Sequence, residues 1–550
     1  MNIGTDYCPS LRAGSRRGAR VRPSLSLNVP RRTATYRRPE LPLALTLRGR
    51  GRTICGMFAT TFLGHQGWVF QSERACLLVD PLLCEEFGQA HALTYQVYPP
   101  RVFTPEAFPR VDALMLTHEH DDHFDIPSLA KLDRRIPIFL SARSSTAAYK
   151  ILCQMGFQVN PLLPGVAFEC GDLQVLPLCG DHLNTNTGDE WDTLPFIVRQ
   201  AEGAGSFFSM VDCTLTSGHI ALARKFAPRP GIIGYSNNAQ DWSHMIDCAL
   251  EQTEGTTQFV HSLHQDLGVI GAMWGQPAAL TLCAGGFSFY GARKWLNRRV
   301  FCVDPERVVK TLSGLLPRQL ILSARPGQAL HMEDHQVKRV EKQAPFLGTT
   351  APNTWPIRDK APRGQLPDYE PATGRRALTP AARAQLLERL TEFAGALVGG
   401  GLFKSLYSLL EIEGQGKRAT FAFVLRQSPD STDSDKDSGG SEPLIFVYNP
   451  AACSFDLTPV ARPQDEFIAG LECWATDLLA VLSGEMGDIA LLFGRAALWN
   501  TLPNRLNFDV FGELQRISGP LRRPAAYLRT YERILQGCAS VTPSIRPRAG

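Results

Sequence analysis

The sequence lacks any paired-cysteine motif: its fourteen cysteines are scattered, with no CxxC and no regular spacing. A chain of 550 residues can bury a core without covalent staples. A disulfide framework is therefore not expected, and a reducing, cytoplasmic setting is. Also missing is an apolar run of the ~18 residues needed to cross a bilayer, so no transmembrane segment is expected. Lysine is absent from residues 1–56, which hold twelve arginines and only Asp6 and Glu40 as acids. That stretch carries +10 and leaves −6 on the rest of a chain whose total is +4. The body is thus acidic and has little of the basic surface that a nucleic-acid partner would need.

What is present is the composition of a soluble globular protein, with 44% hydrophobic and 20% charged residues. The length favours about two to four domains. Residues 1–56, with Arg pairs among Ser, Thr, Pro and Gly, cannot bury enough apolar surface to fold. They read as a disordered tail, or as sequence upstream of a true start at Met57. A twin-arginine signal fits poorly because the apolar stretch Leu41 to Leu47 is short, broken by proline and remote from the first pairs.

The chemistry concentrates in Thr117 to Asp125, THEHDDHFD, directly after the apolar run Val111 to Leu116, which reads as a buried strand. His118 and His120 are two apart, so an extended backbone points both imidazoles to one side, where they can grip one metal ion. Asp122 and His123 turn back to offer a carboxylate and a third imidazole. A solvated acidic turn gives little reason for three histidines within six positions after a strand.

Further ligand-type residues stand at the ends of other expected strands. Thr60 to Leu83 reads as two apolar runs with a turn at Ser72 to Arg74, ends in Asp80-Pro81, and places His65 where it can line the same site. The strand Leu173 to Leu178 runs into His182, and Ser206 to Val211 ends in Asp212. A buried aspartate is expensive alone and reasonable beside cations. Helices are expected at Ser128 to Leu132, Ser144 to Met155, Ser217 to Phe226 and over much of Met245 to Asp266. One strand is expected over Ala278 to Phe289, where Gly285 and Gly286 suggest a bend or close backbone approach. Strands alternating with helices indicate an α/β layered domain.

THEHDDH resembles the HxHxDH signature of the metallo-β-lactamase superfamily, with His182 and Asp212 following in that family's ligand order. FLGH at Phe62 to His65 and LVDP at Leu78 to Pro81 look like the branch that holds ascorbate-lactonase-like and N-acyl-phosphatidylethanolamine phospholipase D-like proteins. The resemblance covers 58 to 345 and implies an αββα sandwich with two divalent metal ions, zinc first and iron or manganese next. It implies that His118, His120 and His182 hold one ion, Asp122 and His123 the other, and that Asp212 bridges them. The implied activity is hydrolysis of an ester, lactone or phosphodiester in a small-molecule or lipid-like substrate, by a water activated between the ions, with Asp122 and His244 as catalytic candidates.

Two departures from that pattern matter. Where relatives of this branch carry a histidine in a context like HWGTF, this chain reads LCAGGF with Cys283, so the second ion's last ligand falls to His244, Cys283, His261 or His264. His261 and His264 also suit an ordinary helix surface. Asp181, Asp189, Glu190 and Asp192 crowd near His182, and an oxygen-rich site favours iron or manganese. A dinuclear-iron oxygenase on the same fold is therefore the second reading, and a non-catalytic metal-binding module the third.

Beyond the metal-binding domain, 57–345, a linker is expected over 346–379 and an additional C-terminal α+β domain over 380–540. In that domain Arg418 to Leu425 pairs with Leu444 to Tyr448 across an acidic loop, Asp465 to Leu471 is helical, and Trp474, Phe493 and Trp499 form core. It carries no ligand cluster. Substrate access or self-association into a homo-oligomer is its candidate role.

Overall fold

The computed structural model describes residues 57–548 except 92–94, 181–190, 202, 204, 214, 237–255, 285, 290–296, 298–304, 323–324, 351–369, 399, 401, 403–417, 429–440, 493–494 and 501–505. His182, His244, Asp181, Asp189, Glu190, Phe493 and the expected tail 1–56 lie outside the described residues.

Two sheets face each other. The first has eight strands in the order Gln336–Glu341, Ala329–Glu333, Phe58–Gly64, Gly67–Gln71, Cys76–Val79, Ala113–Leu116, Ile138–Ser141, Val159–Leu162. The second has seven: Phe168–Cys170, Leu173–Pro177, Phe196–Gln200, Ser206–Ser209, Ile232–Ser236, Ala279–Cys283, Ile321–Leu322. Strand alternation decides which side chains meet. Ala113 and Met115 point between the sheets with Leu77, Val79 and Phe207, whereas Leu114 and Leu116 point outward under the helices Ile126–Ala130 and Thr146–Gln154. The Phe207 ring lies 4.7 Å from Trp68 and 5.0 Å from Phe70, welding the two sheets. On the far side, Ile197, Phe208 and Ile233 pack with Ile220, Leu263 and Ile270 of the helices Ser217–Phe226 and Thr256–Met273. The result is a mixed α/β metallo-β-lactamase fold, helix over sheet over sheet over helix, with an extra C-terminal α+β portion.

That C-terminal portion is built on a five-stranded sheet in the order Ser454–Leu457, Ser441–Asn449, Arg418–Gln427, Phe467–Trp474, Ala496–Asn500. The expected helix at Asp465 to Leu471 ends with the short helix Pro463–Glu466 and is corrected from Phe467 on to a strand, parallel to Arg418–Gln427. Phe467, Ala469, Leu471 and Cys473 are all buried, and the Trp499 ring packs where a Cβ on Gly470 would sit, 2.1 Å away. Tertiary pairing outweighs local helix preference. The helix Pro524–Gly537 packs against Thr146–Gln154, its Tyr527 and Tyr531 joining the outer core of the first sheet. Ile545 and Pro547 then form bridges to Leu132 and Val111.

Two other expectations change. The first run of the expected hairpin is itself folded at Gly64 and His65, whose φ values of 111° and 55° reverse the chain, so Phe58–Gly64 and Gly67–Gln71 pair and His65 and Gln66 sit on the turn. The strand expected over Ala278 to Phe289 is two strands in different sheets, Ala279–Cys283 and Phe287–Phe289, broken at Ala284 with φ 60°. The anticipated close approach is real at Gly286, where a Cβ would lie 2.7 Å from the Tyr98 carbonyl oxygen. No helix among the described residues is long and apolar enough to cross a membrane.

Replacing Phe207 with alanine removes the ring shared by both sheets and lowers the unfolding free energy by about 3–5 kcal/mol. Urea unfolding checks this, and a loss below ~1 kcal/mol would show that the inter-sheet core is held elsewhere.

Candidate metal centre

The site forms where strands of both sheets end. Cys76–Val79 and Ala113–Leu116 run parallel with Val79 opposite Met115, so the residues that follow them, Asp80 and Thr117, emerge side by side. Asp80 accepts from Thr117 N at 2.8 Å and Thr117 Oγ1 at 2.6 Å, and its Oδ2 lies 2.8 Å from His123 Nδ1. These buried contacts commit Nδ1 of His123 and leave Nε2 as the atom available to coordinate, as in the carboxylate–histidine arrangement that orients metal ligands.

His123 Nε2 is buried and lacks an aligned hydrogen bond although Asp212 Oδ2 is 3.0 Å away and Asp122 Oδ2 3.6 Å. Atoms that converge without pairing are what a shared cation requires. His118 Nε2 lies 3.6 Å from the same Asp212 oxygen and 3.0 Å from His120 Nδ1. His65 Nε2 meets Asp122 Oδ2 at 2.6 Å. Among the described residues, two overlapping groups, His65–Asp122–His123 and His118–His123–Asp212, have ligand atoms within 4.8 Å of one another. His118, His120, Asp122, His123 and Asp212 are thus brought together, and the donor set of imidazoles and carboxylates suits a divalent transition metal.

Charge follows geometry. Burial, together with His123 and His120, holds the His118 imidazole well below its usual range, which keeps it neutral. Burial works against protonation of His123 too, but Asp122 and Asp80 outweigh it and raise that group well above its usual value. A cation at Nε2 would take the place of that proton, so metal binding is expected to weaken as pH falls. Burial likewise opposes ionisation of Asp122, and His123 with the hydrogen-bonded His65 overrides it and keeps the carboxylate ionised.

Cys283 is buried at the end of its strand, its thiol pushed up by burial and by Asp212. His261 and His264 are exposed on the helix Thr256–Met273, His261 3.0 Å from Gln265, and neither joins the ligand groups. Sequence reasoning passed over Gln66, which donates to Asp212 Oδ1 at 3.1 Å and to Ser236 Oγ at 2.9 Å. It also passed over Glu119, a member of the motif that points away from the cluster. Glu119 accepts from Ser145 N at 2.7 Å, Ser145 Oγ at 2.6 Å and Tyr531 Oη at 3.0 Å. Its place between the two histidines was the available signal. The tyrosine partner, 412 positions away, left none.

Residues 76–253 match the family model described as the Beta-lactamase superfamily domain. Solved structures are similar at low identity. A metallo hydrolase from the archaeon Ignicoccus hospitalis is 13% identical, with 50% of this chain and 99% of that one covered and a TM-score of 0.31. CmlA, a diiron beta-hydroxylase from Streptomyces venezuelae, is 18% identical, with 50% and 54% covered and a TM-score of 0.32. The isothiocyanate hydrolase from Delia radicum gut bacteria is 16% identical, with 50% and 98% covered and a TM-score of 0.32. These remote likenesses say nothing about which reaction is run.

Asp80→Asn is expected to weaken metal binding by about 10–100-fold with the fold retained, as read by competition with a chelating dye and by circular dichroism. Unchanged affinity would show that Asp80 does not orient His123. Burial and the neighbouring Asp192 push the Glu119 carboxyl up to about 8, so its protonated form is favoured in the folded state. The stability from this raised value is fully present below the unfolded value of ~4.3 and is lost as pH rises toward 8. In chelator-treated protein, Glu119→Gln should flatten the fall in unfolding free energy between pH 5 and 8.5 by on the order of 1–3 kcal/mol. Parallel pH profiles for the two proteins would refute this.

Proposed function

We propose, from the beta-lactamase superfamily domain at residues 76–253, that the protein is a metal-dependent hydrolase of an ester, lactone or phosphodiester working with two divalent cations. The observation that carries this reading is the convergence of His118, His123 and Asp212, with His65 and Asp122 alongside, at strand ends of two sheets. We assign His118, His120 and Asp212 to one ion and Asp122 and His123 to the other, with Asp212 shared and His182 reserved for the first. The chemistry the ions supply when bound is acidification of water and polarisation of a carbonyl or phosphoryl oxygen.

The protein's own groups do the rest. Asp122 Oδ2 is placed to take a proton and is oriented by a hydrogen bond at 2.6 Å to Nε2 of His65, a residue whose Nδ1 is buried with no partner among the described residues. Gln66 fixes Asp212, and Asp80 fixes His123. The FLGH and LVDP segments, which supply His65 and Asp80, support the branch resemblance and with it a small-molecule or lipid-like substrate. A dinuclear-iron oxygenase is the second reading, favoured by the acidic residues Asp181, Asp189, Glu190 and Asp192 that crowd near His182 in the sequence.

Elemental analysis with a metal-swap activity screen on an ester, lactone and phosphodiester panel separates these readings. The hydrolase reading expects two equivalents of zinc or manganese and turnover that falls by about two orders of magnitude or more in His118→Ala and Asp212→Asn. Bound iron with a visible absorbance band and no hydrolysis supports the oxygenase. Full metal occupancy with no turnover of any kind supports a binding module.

A further inference from the structure

The backbone reaches Asp212 through a strained residue. Val211 has a φ of 51°, a left-handed conformation that a β-branched residue keeps only where its surroundings impose it. Here those surroundings can be named. The Val211 amide donates to Ser209 Oγ at 3.2 Å, and the Val211 carbonyl accepts from Ser236 Oγ at the end of the neighbouring parallel strand Ile232–Ser236. Two serine hydroxyls therefore hold both backbone polar groups of the strained residue.

Ser236 has one proton to give and lone pairs to spare. The proton goes to Val211, and a lone pair receives Gln66 Nε2 at 2.9 Å. Gln66 Nε2 also donates to Asp212 Oδ1 at 3.1 Å. A carboxylate can only accept, so the amide is oriented with its nitrogen toward Asp212. The hydrogen bonds close on themselves: Gln66 grips the Asp212 carboxylate and, through Ser236, the carbonyl of the residue before it. Gln66, Ser236 and Val211 are all buried, which keeps water from competing for these bonds.

Gln66 reaches the second sheet from the first. It stands on the reversal between Phe58–Gly64 and Gly67–Gln71, and the Ala284 amide anchors that reversal by donating to the His65 carbonyl at 2.7 Å. With Oδ1 committed to Gln66, Oδ2 is the Asp212 oxygen turned to the cluster, 3.0 Å from His123 Nε2 and 3.6 Å from His118 Nε2. Rotation of the carboxylate would withdraw that oxygen from one histidine or both, and Gln66 opposes the rotation.

We propose that Gln66 and Ser236 are positioning residues of the metal centre: they hold Val211 in its left-handed conformation and reserve Asp212 Oδ2 for the ions. Neither is itself a ligand. The inference rests on the metal-binding part of the proposed function and not on hydrolysis.

Titration of the chelator-treated full chain tests it, with zinc alone against a chelating dye and with cobalt alone to read the visible absorbance. Gln66→Met keeps the length of the side chain and Ser236→Ala most of its volume. Each is expected to weaken zinc binding about 10–100-fold and to alter the cobalt spectrum, with circular dichroism unchanged. Phe421→Ala truncates the core of the C-terminal sheet, so it lowers stability and is expected to leave zinc affinity and cobalt spectrum as in the wild type. Wild-type affinity and spectrum in both Gln66→Met and Ser236→Ala overturn the proposal, as does a loss that Phe421→Ala reproduces. Gln66→Met decides alone if Ser236→Ala does not fold. The expected losses in a chain that turns over no ester, lactone or phosphodiester refute the hydrolase and support the positioning role. A wild-type chain that binds neither zinc nor cobalt overturns both.

Discussion

The buried carboxylate of Asp80 holds the centre of this molecule. Parallel pairing of Cys76–Val79 with Ala113–Leu116 brings it beside Thr117, and its two oxygens then receive the Thr117 amide, the Thr117 hydroxyl and the His123 imidazole. One acid thereby joins two strands, anchors the first residue of the metal loop and sets the ring nitrogen that its last histidine presents. A buried charge is tolerated only when its lone pairs are met, and here each partner is itself part of the ligand loop.

The loop is supported from the other side by the far end of the chain. Glu119 turns its side chain away from its neighbours His118 and His120 and is met by Ser145, the N-cap of the helix Thr146–Gln154, and by Tyr531 of the helix Pro524–Gly537. Phe124 packs on Tyr531 with ring centroids 5.6 Å apart, and Asp125 caps the helix Ile126–Ala130 through the Ser128 amide at 2.9 Å. His118, His120, Asp122 and His123 face the candidate ion site, and Glu119, Phe124 and Asp125 are tied to the scaffold. Rigid support of this kind is what holds ligand atoms within coordinating distance.

The second sheet has two ends. At one, Ser206–Ser209 leads through Val211, with φ 51°, to Asp212 at the cluster. At the other, the start of that strand lies beside the turn at Asp334 and His335, with φ 48° and 61°. At the cluster the polar groups stand where strand hydrogen bonding has stopped, because there side chains from different strands can converge on one point.

By itself the sequence determined the layered α/β fold and the metal-binding character of Thr117 to Asp125, since strand alternation and dense ligand spacing are local patterns. The helix at Ser217–Phe226, the pairing of Arg418–Gln427 with Ser441–Asn449 and the close approach at Gly286 were legible for the same reason. His65 and Gln66 were harder to read, because a tight turn hidden inside one apolar run carries them to the site. The strand Phe467–Trp474 passed for a helix because a neighbouring strand and Trp499, not its own residues, decide its conformation. Tertiary structure alone decided that Tyr531 reaches Glu119 and that Gln66 meets Asp212 and Ser236. These contacts join residues far apart in sequence, and no local propensity or spacing records a distance that only folding creates.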